Sequence, residues 1–177
     1  MSQDWPAQIG QDRWVIEVLK GKREGTFLDL GAHQARHVSN TWALEKNFGW
    51  RGIAVDNDPQ WIREWAEQRP GSVFVRGDAC KLDYPALLAA QHIPQPVDYL
   101  SLDLEPPELT WKCLQHILGQ KIWAYTVTFE TDYYRYKESR EPSRELMASL
   151  GYVLARPGVP GHYGEQDDFY VHKMVLT

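Results

Sequence analysis

The chain has 177 residues, of which 43% are hydrophobic and 24% charged, and its net charge is −5. A chain of this length can form one domain that buries roughly 70% of the surface exposed by its unfolded form, so we predict a single domain over residues 1–177. Its acidic balance supplies no basic excess for a phosphate backbone, which argues against nucleic acid as a partner.

The sequence carries no membrane or secretion signal. No apolar run approaches the roughly 18 residues of a membrane-spanning helix, and the N-terminus lacks the charged-then-apolar layout of a signal peptide. We therefore expect a cytoplasmic protein without membrane association. Cys80 and Cys113 lie far apart, without a CxxC motif or metal-like spacing, so both are expected to be reduced thiols.

The first predicted elements are a packing helix, a strand and a crossover helix. Residues 11–20 place apolar side chains on one helical face, within an N-terminal segment that we assign to residues 1–24. The core begins at residue 25 with a short apolar strand that ends at Gly31. Helical spacing of apolar residues then predicts a crossover helix over about residues 34–48, which Gly49 terminates.

Strands and helices continue to alternate after the crossover helix. The further predicted strands cover about residues 53–55, 72–76, 97–102, 122–129, 151–155 and 169–176. The further predicted helices cover about residues 59–68, 85–91, 106–119 and 143–150, and residues 157–164 form a loop. This alternation predicts a three-layer α/β sandwich with a mostly parallel sheet, closed by a final hairpin-like pair of strands.

Carboxylates follow each of the first five predicted strands. In a parallel sheet these strand ends meet at one edge, where ligands bind. At that edge Gly31 allows a ligand to approach the backbone, and Asp56 can accept two hydrogen bonds from a ribose diol. The acidic residues at the five strand ends are Asp29, Asp56, Asp78, Asp103 with Glu105, and Glu130 with Asp132.

The same acids exclude a dinucleotide site. The chain has neither GxGxxG nor GxxxxGK[ST], and a ring of carboxylates repels a pyrophosphate, which argues against a nicotinamide oxidoreductase. A ligand with a ribose, an adenine amine and a cationic centre suits these residues better.

Four motifs resemble those of the FkbM-like class I S-adenosylmethionine methyltransferases. The similarity extends from about residue 25 to residue 177, and the resemblance implies a Rossmann-like sheet of seven strands with the last one antiparallel. It also implies S-adenosylmethionine as cofactor and methyl transfer, usually to a hydroxyl. The motifs are Phe27-Leu28-Asp29-Leu30-Gly31-Ala32, Gly49-Trp50-Arg51-Gly52-Ile53-Ala54-Val55-Asp56, Val97-Asp98-Tyr99-Leu100-Ser101-Leu102-Asp103-Leu104-Glu105 and Thr128-Phe129-Glu130.

The resemblance also implies a set of cofactor contacts. Asp29 and Gly31 would border the methionine part, Asp56 would hold the ribose hydroxyls, and Asp78 with the Ala79 backbone would meet the adenine. Apart from the resemblance, we also assign His33 to this site, as a wall or base beside the methyl donor, together with Asn57 and Asp103. Two positions depart from the family pattern, because Ala35 replaces a second glycine and Pro106 replaces the glycine after Glu105.

The acceptor is expected to be a small molecule or a glycosyl group that is methylated on a hydroxyl. N-methylation, or a catalytically silent S-adenosylmethionine-binding module, is the alternative. An unactivated alcohol needs a base, for which Asp103, Glu130 and His162 are the candidates. Asp103, Glu130 and Asp132 could also hold Mg²⁺, which would lower the pKa of the acceptor hydroxyl, or these acids could cap loops and bind the donor's amino group.

Two further groups of residues are of interest near this edge. His33 and His37 are spaced by four residues on the predicted crossover helix, as zinc ligands can be, but no third ligand has a matching spacing. Residues 133–137 combine tyrosines with basic residues, so they are interpreted as a lid over the acceptor or as a surface for a protein partner.

Overall fold

We describe the chain from a computed structural model that defines residues 4–176; residues 1–3 and 177 of the predicted domain lie outside the described residues. The helices are α1 (Gln11–Val18), α2 (Trp42–Phe48), α3 (Trp61–Gln68), α4 (Tyr84–Ala90), α5 (Glu108–Gly119) and α6 (Arg140–Ser149). The strands are β1 (Thr26–Leu30), β2 (Arg51–Asp56), β3 (Val73–Arg76), β4 (Val97–Leu102), β5 (Ala124–Glu130), β6 (Tyr152–Gly161) and β7 (Gly164–His172). A short 3₁₀ helix, Lys173–Val175, follows the last strand.

Within the described residues, seven strands form one sheet in the order β3-β2-β1-β4-β5-β7-β6. The first five strands are parallel, whereas β7 is antiparallel to both of its neighbours. The strand order reverses between β1 and β4, which opens a crevice at their carboxyl ends. The predicted Rossmann-like sheet with an antiparallel last strand is therefore confirmed.

Alternating side chains of the buried strands build a core on each face of the sheet. Leu28 and Leu30 of β1 contribute to the larger core, which α4, α5 and α6 cover. Phe27, which directly precedes Leu28, packs on the opposite face with Trp14 of α1 and Leu44 of α2. Side chains at odd and even positions of β1 thus point to opposite faces of the sheet and pack in different cores. This alternation gives the three layers, in which helices cover both faces of the sheet.

The predicted start of the crossover helix near residue 34 is wrong, because α2 begins only at Trp42. The preceding segment is held by Arg69, whose side chain is fully buried at the end of α3. The Arg69 guanidinium donates to the carbonyl oxygens of Ala35 at 2.9 Å and Thr41 at 3.2 Å. Hydrogen bonds from a distant residue therefore replace those of a helical turn in this segment.

The zinc hypothesis for His33 and His37 assumed that both residues lie on the crossover helix, and it loses this geometric basis because α2 begins only at Trp42. Neither histidine lies on a helix, and His33 has a positive φ of 49°. Among residues 4–176, the one group of side chains with metal-ligand spacing contains no histidine.

The final hairpin is longer than predicted. β6 extends through Gly161, although residues 157–161 were expected to lie in a loop, and β7 ends at His172 rather than near residue 176. Three shifts of register interrupt the pairing between these strands, and each shift breaks the two-residue alternation by which a strand is recognised. The Gly158 amide donates a hydrogen bond to the Asp168 carboxylate at 2.8 Å, and this contact holds the irregular part of β6 against β7.

Candidate functional site

A cavity of about 460 Å³ opens at the carboxyl ends of β1 to β5, where the strand order reverses. Most of the residues assigned to the site from sequence line it, whereas Asp132 and His162 do not. The predicted residues that line the cavity are Asp29, Gly31, His33, Asp56, Asn57, Asp78, Ala79, Asp103 and Glu130.

Gly31 forms the turn between β1 and the loop that follows it. Its φ is +83°, and a Cβ placed there would lie 1.8 Å from the carbonyl oxygen of Asp103. The amides of Gly31 and Ala32 both donate to the Val55 carbonyl oxygen at 3.0 Å. Glycine is therefore required at this turn by the approach of the β4 end, a reason that the sequence alone does not reveal.

The Asp56 carboxylate joins two loops of the cavity wall. One oxygen accepts from the His33 amide and the other from the Asp58 amide, each at 2.9 Å. A carboxylate oxygen can accept a second hydrogen bond, so both oxygens retain capacity for a ligand hydroxyl. Asp56 therefore positions the loop after β1 and remains able to bind a diol.

Asp78 and Ala79 lie at the far end of the cavity, beyond β3. Lys81, 2.8 Å away, and the Cys80 amide both stabilise the charged form of Asp78 and lower its pKa. The Ala79 carbonyl oxygen already accepts from the Tyr84 hydroxyl at 2.7 Å. This end of the cavity is thus a preformed loop whose carboxylate stays ionised.

Trp61 and Asn40 also line the cavity, although no motif indicated them. The Trp61 ring lies 4.4 Å from that of His33. The Trp61 Nε1 donor and the Asn40 Oδ1 acceptor are buried without a hydrogen-bond partner in the described chain. Trp61 is the first residue of α3, directly after the loop that follows β2, and this place in the chain could have indicated the sheet edge.

Asp103 and Glu130 form a buried acidic pair at the ends of β4 and β5. Burial and the charge of Asp103 raise the pKa of Glu130 to about 11, and burial, with the nearby Asp132 and Glu105, raises the pKa of Asp103. One Glu130 oxygen accepts from the Gln166 amide at 3.0 Å, while Oε2 has no partner in the described chain. The two carboxyl groups therefore share a proton near neutral pH.

Arg135 neutralises the outer part of this acidic edge. Its Nε donates to Asp132 at 2.6 Å, and its Nη2 contacts both Asp132 and Glu105. One oxygen each of Glu105, Glu130 and Asp132 lies within 4.8 Å of the others, which is the spacing of a cation site. This group differs from the predicted metal ligands, because Glu105 takes the place of Asp103.

Two tyrosines stand at the mouth of the cavity. Tyr134 follows β5 and Tyr163 lies in the β6–β7 turn, and their ring centroids are 5.8 Å apart. Both side chains are exposed, by 40% and 71%. His162 packs edge-on against Tyr163 at 4.6 Å and is exposed outside the cavity lining, so its assigned catalytic role stays a prediction.

No known protein-family profile and no curated protein sequence matches this chain. Solved structures do match it. The METTL16 MTase domain superimposes with a TM-score of 0.67 and 14% identity over 96% of this chain and 68% of its own. An rRNA methylase from Streptococcus thermophilus gives a TM-score of 0.60 and 9% identity over 90% of this chain and 93% of its own.

A third similar structure contains ligands. It is the Burkholderia thailandensis 1,6-didemethyltoxoflavin-N1-methyltransferase with bound 1,6-didemethyltoxoflavin and S-adenosylhomocysteine, with a TM-score of 0.56 and 18% identity over 95% of this chain and 77% of its own. These similarities show that the chain has the fold of class I S-adenosylmethionine-dependent methyltransferases. They do not confirm the FkbM-like subgroup. None of the described helices is long and apolar enough to cross a bilayer.

Proposed function

We propose that the protein is an S-adenosylmethionine-dependent methyltransferase with a small-molecule acceptor. The observation that carries this proposal is the cavity at the switch point, where the Asp56 carboxylate keeps hydrogen-bonding capacity for a ribose while it holds the loop after β1. Such crevices bind nucleotide ligands in open α/β sheets.

The cavity fits this cofactor in size and chemistry. Its volume of about 460 Å³ lies within the range of small-molecule sites. The unpartnered Trp61 Nε1 and Asn40 Oδ1 offer a donor and an acceptor to a bound molecule. Asp56 and Asn57 would hold the ribose, the loop of Asp78 and Ala79 the adenine, and Asp29 would border the methionine part.

The bound cofactor would supply an electrophilic methyl group on a cationic sulfur. The carboxylates that line the cavity favour that positive charge. Two of them are Asp29 on β1 and Asp103, which follows β4. Asp103 and Glu130 would accept the proton of the acceptor, because a pair that already shares one proton can take up a second.

A small acceptor is favoured over RNA by charge. METTL16 and the rRNA methylase resemble this chain in fold, but here the net charge is −5 and the cavity is lined by carboxylates, which repel a phosphate backbone. A hydroxyl acceptor, including a glycosyl hydroxyl, is the expectation from the sequence, and a nitrogen acceptor is the alternative.

A divalent cation remains a second hypothesis for the acidic edge. Glu105, Glu130 and Asp132 have suitable spacing, but Arg135 already contacts two of them and would have to move to admit Mg²⁺. Because Arg135 supplies the positive charge, we expect formation of S-adenosylhomocysteine from S-adenosylmethionine to persist after exhaustive EDTA treatment. Loss of this turnover that Mg²⁺ restores would instead support a metal site.

The proposed function is tested by calorimetric titration with S-adenosylhomocysteine. We expect stoichiometric binding to the wild type and a loss of at least about tenfold in affinity for Asp56→Ala, since hydrogen bonds to a charged group are lost. Glu67→Gln is the matched control, because Glu67 is exposed and pairs with Arg63. No binding to the wild type, or equal affinity of the Asp56 variant, would contradict the proposal.

Catalytic silence is tested separately from binding. Slow conversion of S-adenosylmethionine to S-adenosylhomocysteine, with water as the acceptor, would show catalysis in the absence of the natural acceptor. Formation of S-adenosylhomocysteine above the rate without protein would exclude a silent binding module, whereas tight binding without any turnover would support one.

A further inference from the structure

The two cysteines of the chain meet beside the cavity, although they lie on separate elements. Cys80 is in the loop after β3, directly after Ala79, and Cys113 is on α5. Both are free thiols, and their side chains hydrogen-bond each other. The fold therefore forms a dithiol from two residues that the sequence spacing indicates to be unrelated.

The hydrogen bonds of the two thiols cross between the loop and the helix. The Cys80 Sγ donates to the carbonyl oxygen of Leu109, in the first turn of α5, at 3.6 Å. The Cys113 Sγ donates to the Ala79 carbonyl oxygen at 3.5 Å. Ala79 and Leu109 both line the cavity. The dithiol thus lies directly behind the part of the cavity wall that we assign to the adenine.

The two thiols differ in access and in ionisation. Cys80 is partly exposed, whereas Cys113 is fully buried. The hydrogen bond with Cys113 lowers the pKa of Cys80, and two nearby lysines act in the same direction against burial. The hydrogen bond with Cys80, together with burial, raises the pKa of Cys113. Because the thiolate is the nucleophile in thiol–disulfide exchange, Cys80 is the cysteine that reacts first and Cys113 the one that displaces the leaving group.

We propose that Cys80 and Cys113 form a reversible disulfide, and that this disulfide weakens cofactor binding at the adenine end of the cavity. The oxidant is a low-molecular-weight disulfide, of which glutathione disulfide is the probe used below. Redox-sensing cysteines share this arrangement, in which an accessible, readily ionised thiol stands beside a second one. The effect on the cofactor rests on the proposed function, which assigns the Ala79 backbone to the adenine, whereas formation of the disulfide does not.

The exchange balances with the small disulfide as the only reactant. The Cys80 thiolate attacks one sulfur of glutathione disulfide, whose S–S bond breaks and releases one glutathione thiolate. The Cys113 sulfur then loses its proton and attacks the Cys80 sulfur, and the mixed disulfide breaks to release the second glutathione thiolate. The two released thiolates take up the two protons that the cysteines lose. Two electrons thus pass from the protein dithiol to the small disulfide.

Oxidation changes the cavity wall through the hydrogen bonds of the two sulfurs. A disulfide has no S–H group, so the carbonyl oxygens of Ala79 and Leu109 each lose a donor. The Ala79 carbonyl oxygen retains the Tyr84 hydroxyl at 2.7 Å. The loop is instead joined covalently to α5, at the residue next to the one assigned to the adenine. We therefore expect the reduced protein to bind the cofactor more tightly than the oxidised protein.

Incubation of the reduced wild-type protein with glutathione disulfide tests whether the bond forms. After removal of the excess reagent, we expect both cysteines to resist alkylation by iodoacetamide in denaturant. The intact mass should fall by the mass of two hydrogen atoms, and dithiothreitol should restore both thiols. No reaction, a persistent glutathione adduct or a covalent dimer would overturn the proposal.

Two serine variants test the roles of the two thiols. Cys113→Ser should stop at a mixed disulfide between Cys80 and glutathione, because no second thiol can displace it. Cys80→Ser should not react while folded, since Cys113 is buried. A serine hydroxyl keeps a donor for the carbonyl oxygen, so both variants are expected to fold. A glutathione adduct on folded Cys80→Ser but not on Cys113→Ser would overturn the assignment of Cys80 as the first thiol to react.

Calorimetric titration with S-adenosylhomocysteine tests the effect on the cavity. We expect the oxidised wild type to bind at least about fivefold more weakly than the reduced wild type, which corresponds to the loss of about one hydrogen bond. The same glutathione disulfide treatment should leave the affinity of Cys80→Ser unchanged. Equal affinities of the two wild-type forms, or an equal loss in treated Cys80→Ser, would contradict control by the disulfide.

Failure of this inference is distinguishable from failure of the proposed function. If the reduced wild type does not bind S-adenosylhomocysteine, the proposed function fails and the effect on the cofactor fails with it, while mass and thiol content still decide whether the disulfide forms. Binding of S-adenosylhomocysteine without a disulfide, or with a disulfide that leaves the affinity unchanged, refutes only this inference.

Discussion

Gly31 forms the turn that directly follows β1, with a φ of +83°. Its place after a buried strand correctly predicts a turn at the ligand edge of the sheet. The approach of the Asp103 carbonyl oxygen, which leaves no room for a Cβ, depends on the packing of β4 and has no local signal. Asp56 and Asp78 were predictable because strand ends locate them, while Trp61 and Asn40 reach the cavity through tertiary packing.

Gly31→Ala should be strongly destabilising. The new Cβ would overlap the Asp103 carbonyl oxygen at 1.8 Å, in addition to the strain of a positive φ. We expect a loss of about 2–4 kcal/mol in the free energy of unfolding, measured by urea denaturation. Gly21→Ala is the control, because its φ of +76° is similar and nothing lies within 4 Å. Equal losses in the two variants would show that the overlap is relieved at no cost.

Asp29 should make stability depend on pH. Burial raises the pKa of its carboxyl to about 6, although a hydrogen bond from Thr41 opposes this. The folded protein then binds more protons than the unfolded chain between about pH 4 and pH 6, so Asp29 lowers stability as pH rises through that range. Above about pH 6 the destabilisation caused by Asp29 is constant at about 3 kcal/mol.

Asp29→Asn should remove this contribution. We expect the variant to lose stability less steeply than the wild type between pH 4 and pH 6 and to gain relative to it by up to about 3 kcal/mol at pH 7. Urea denaturation at pH 4 and pH 7 measures the difference. Parallel pH profiles for the two proteins would mean that Asp29 has an ordinary pKa in the folded state.

At the scale of elements, the segment before α2 shows why its helix was predicted too long. Apolar residues recur at helical spacing from Ala35 to Trp42, yet carbonyl groups there accept from Arg69, which lies beyond the next strand and helix. Helical spacing is a property of neighbouring residues, whereas the hydrogen bonds that hold this segment come from Arg69, far away in the sequence. The same holds for β6, whose register shifts are set by its pairing with β7 and erase the alternation expected of a strand.

Arg69→Met tests this explanation. The Arg69 side chain is fully buried, and its Nε donates to Glu45 at 2.7 Å. Burial alone would raise the pKa of Glu45, but Arg69 lowers it below its usual value. Removal of the guanidinium leaves a buried carboxylate and two carbonyl groups without their partner, so we expect a loss of about 3–5 kcal/mol in unfolding free energy.

The control for this change is Arg63→Met. Arg63 is exposed and pairs with Glu67, which is also exposed, so its replacement should alter stability by less than about 0.5 kcal/mol. A second variant, Arg69→Met with Glu45→Gln, should recover part of the loss because the buried charge is gone. A single Arg69 variant as stable as Arg63→Met would contradict the role of Arg69 in this segment.

At the scale of the molecule, the alternation of strands and helices made the fold predictable. Parallel strands must return to the same edge, so the acids that follow β1 to β5 converge whatever the details of the connections. The end of the cavity beside β4 and β5 was less predictable. The Arg135 contacts with Asp132 and Glu105, and the meeting of Tyr134 with Tyr163, join segments that carry no common motif.

The central claim is that this edge binds S-adenosylmethionine with its methyl group facing the acidic pair. A crystal structure of the protein with S-adenosylhomocysteine tests it most directly. We predict ribose hydroxyls on the Asp56 carboxylate, adenine beside the Asp78–Ala79 loop, and the sulfur directed towards Asp103 and Glu130. A nucleoside bound elsewhere, or one whose sulfur points away from these two residues, would contradict the account.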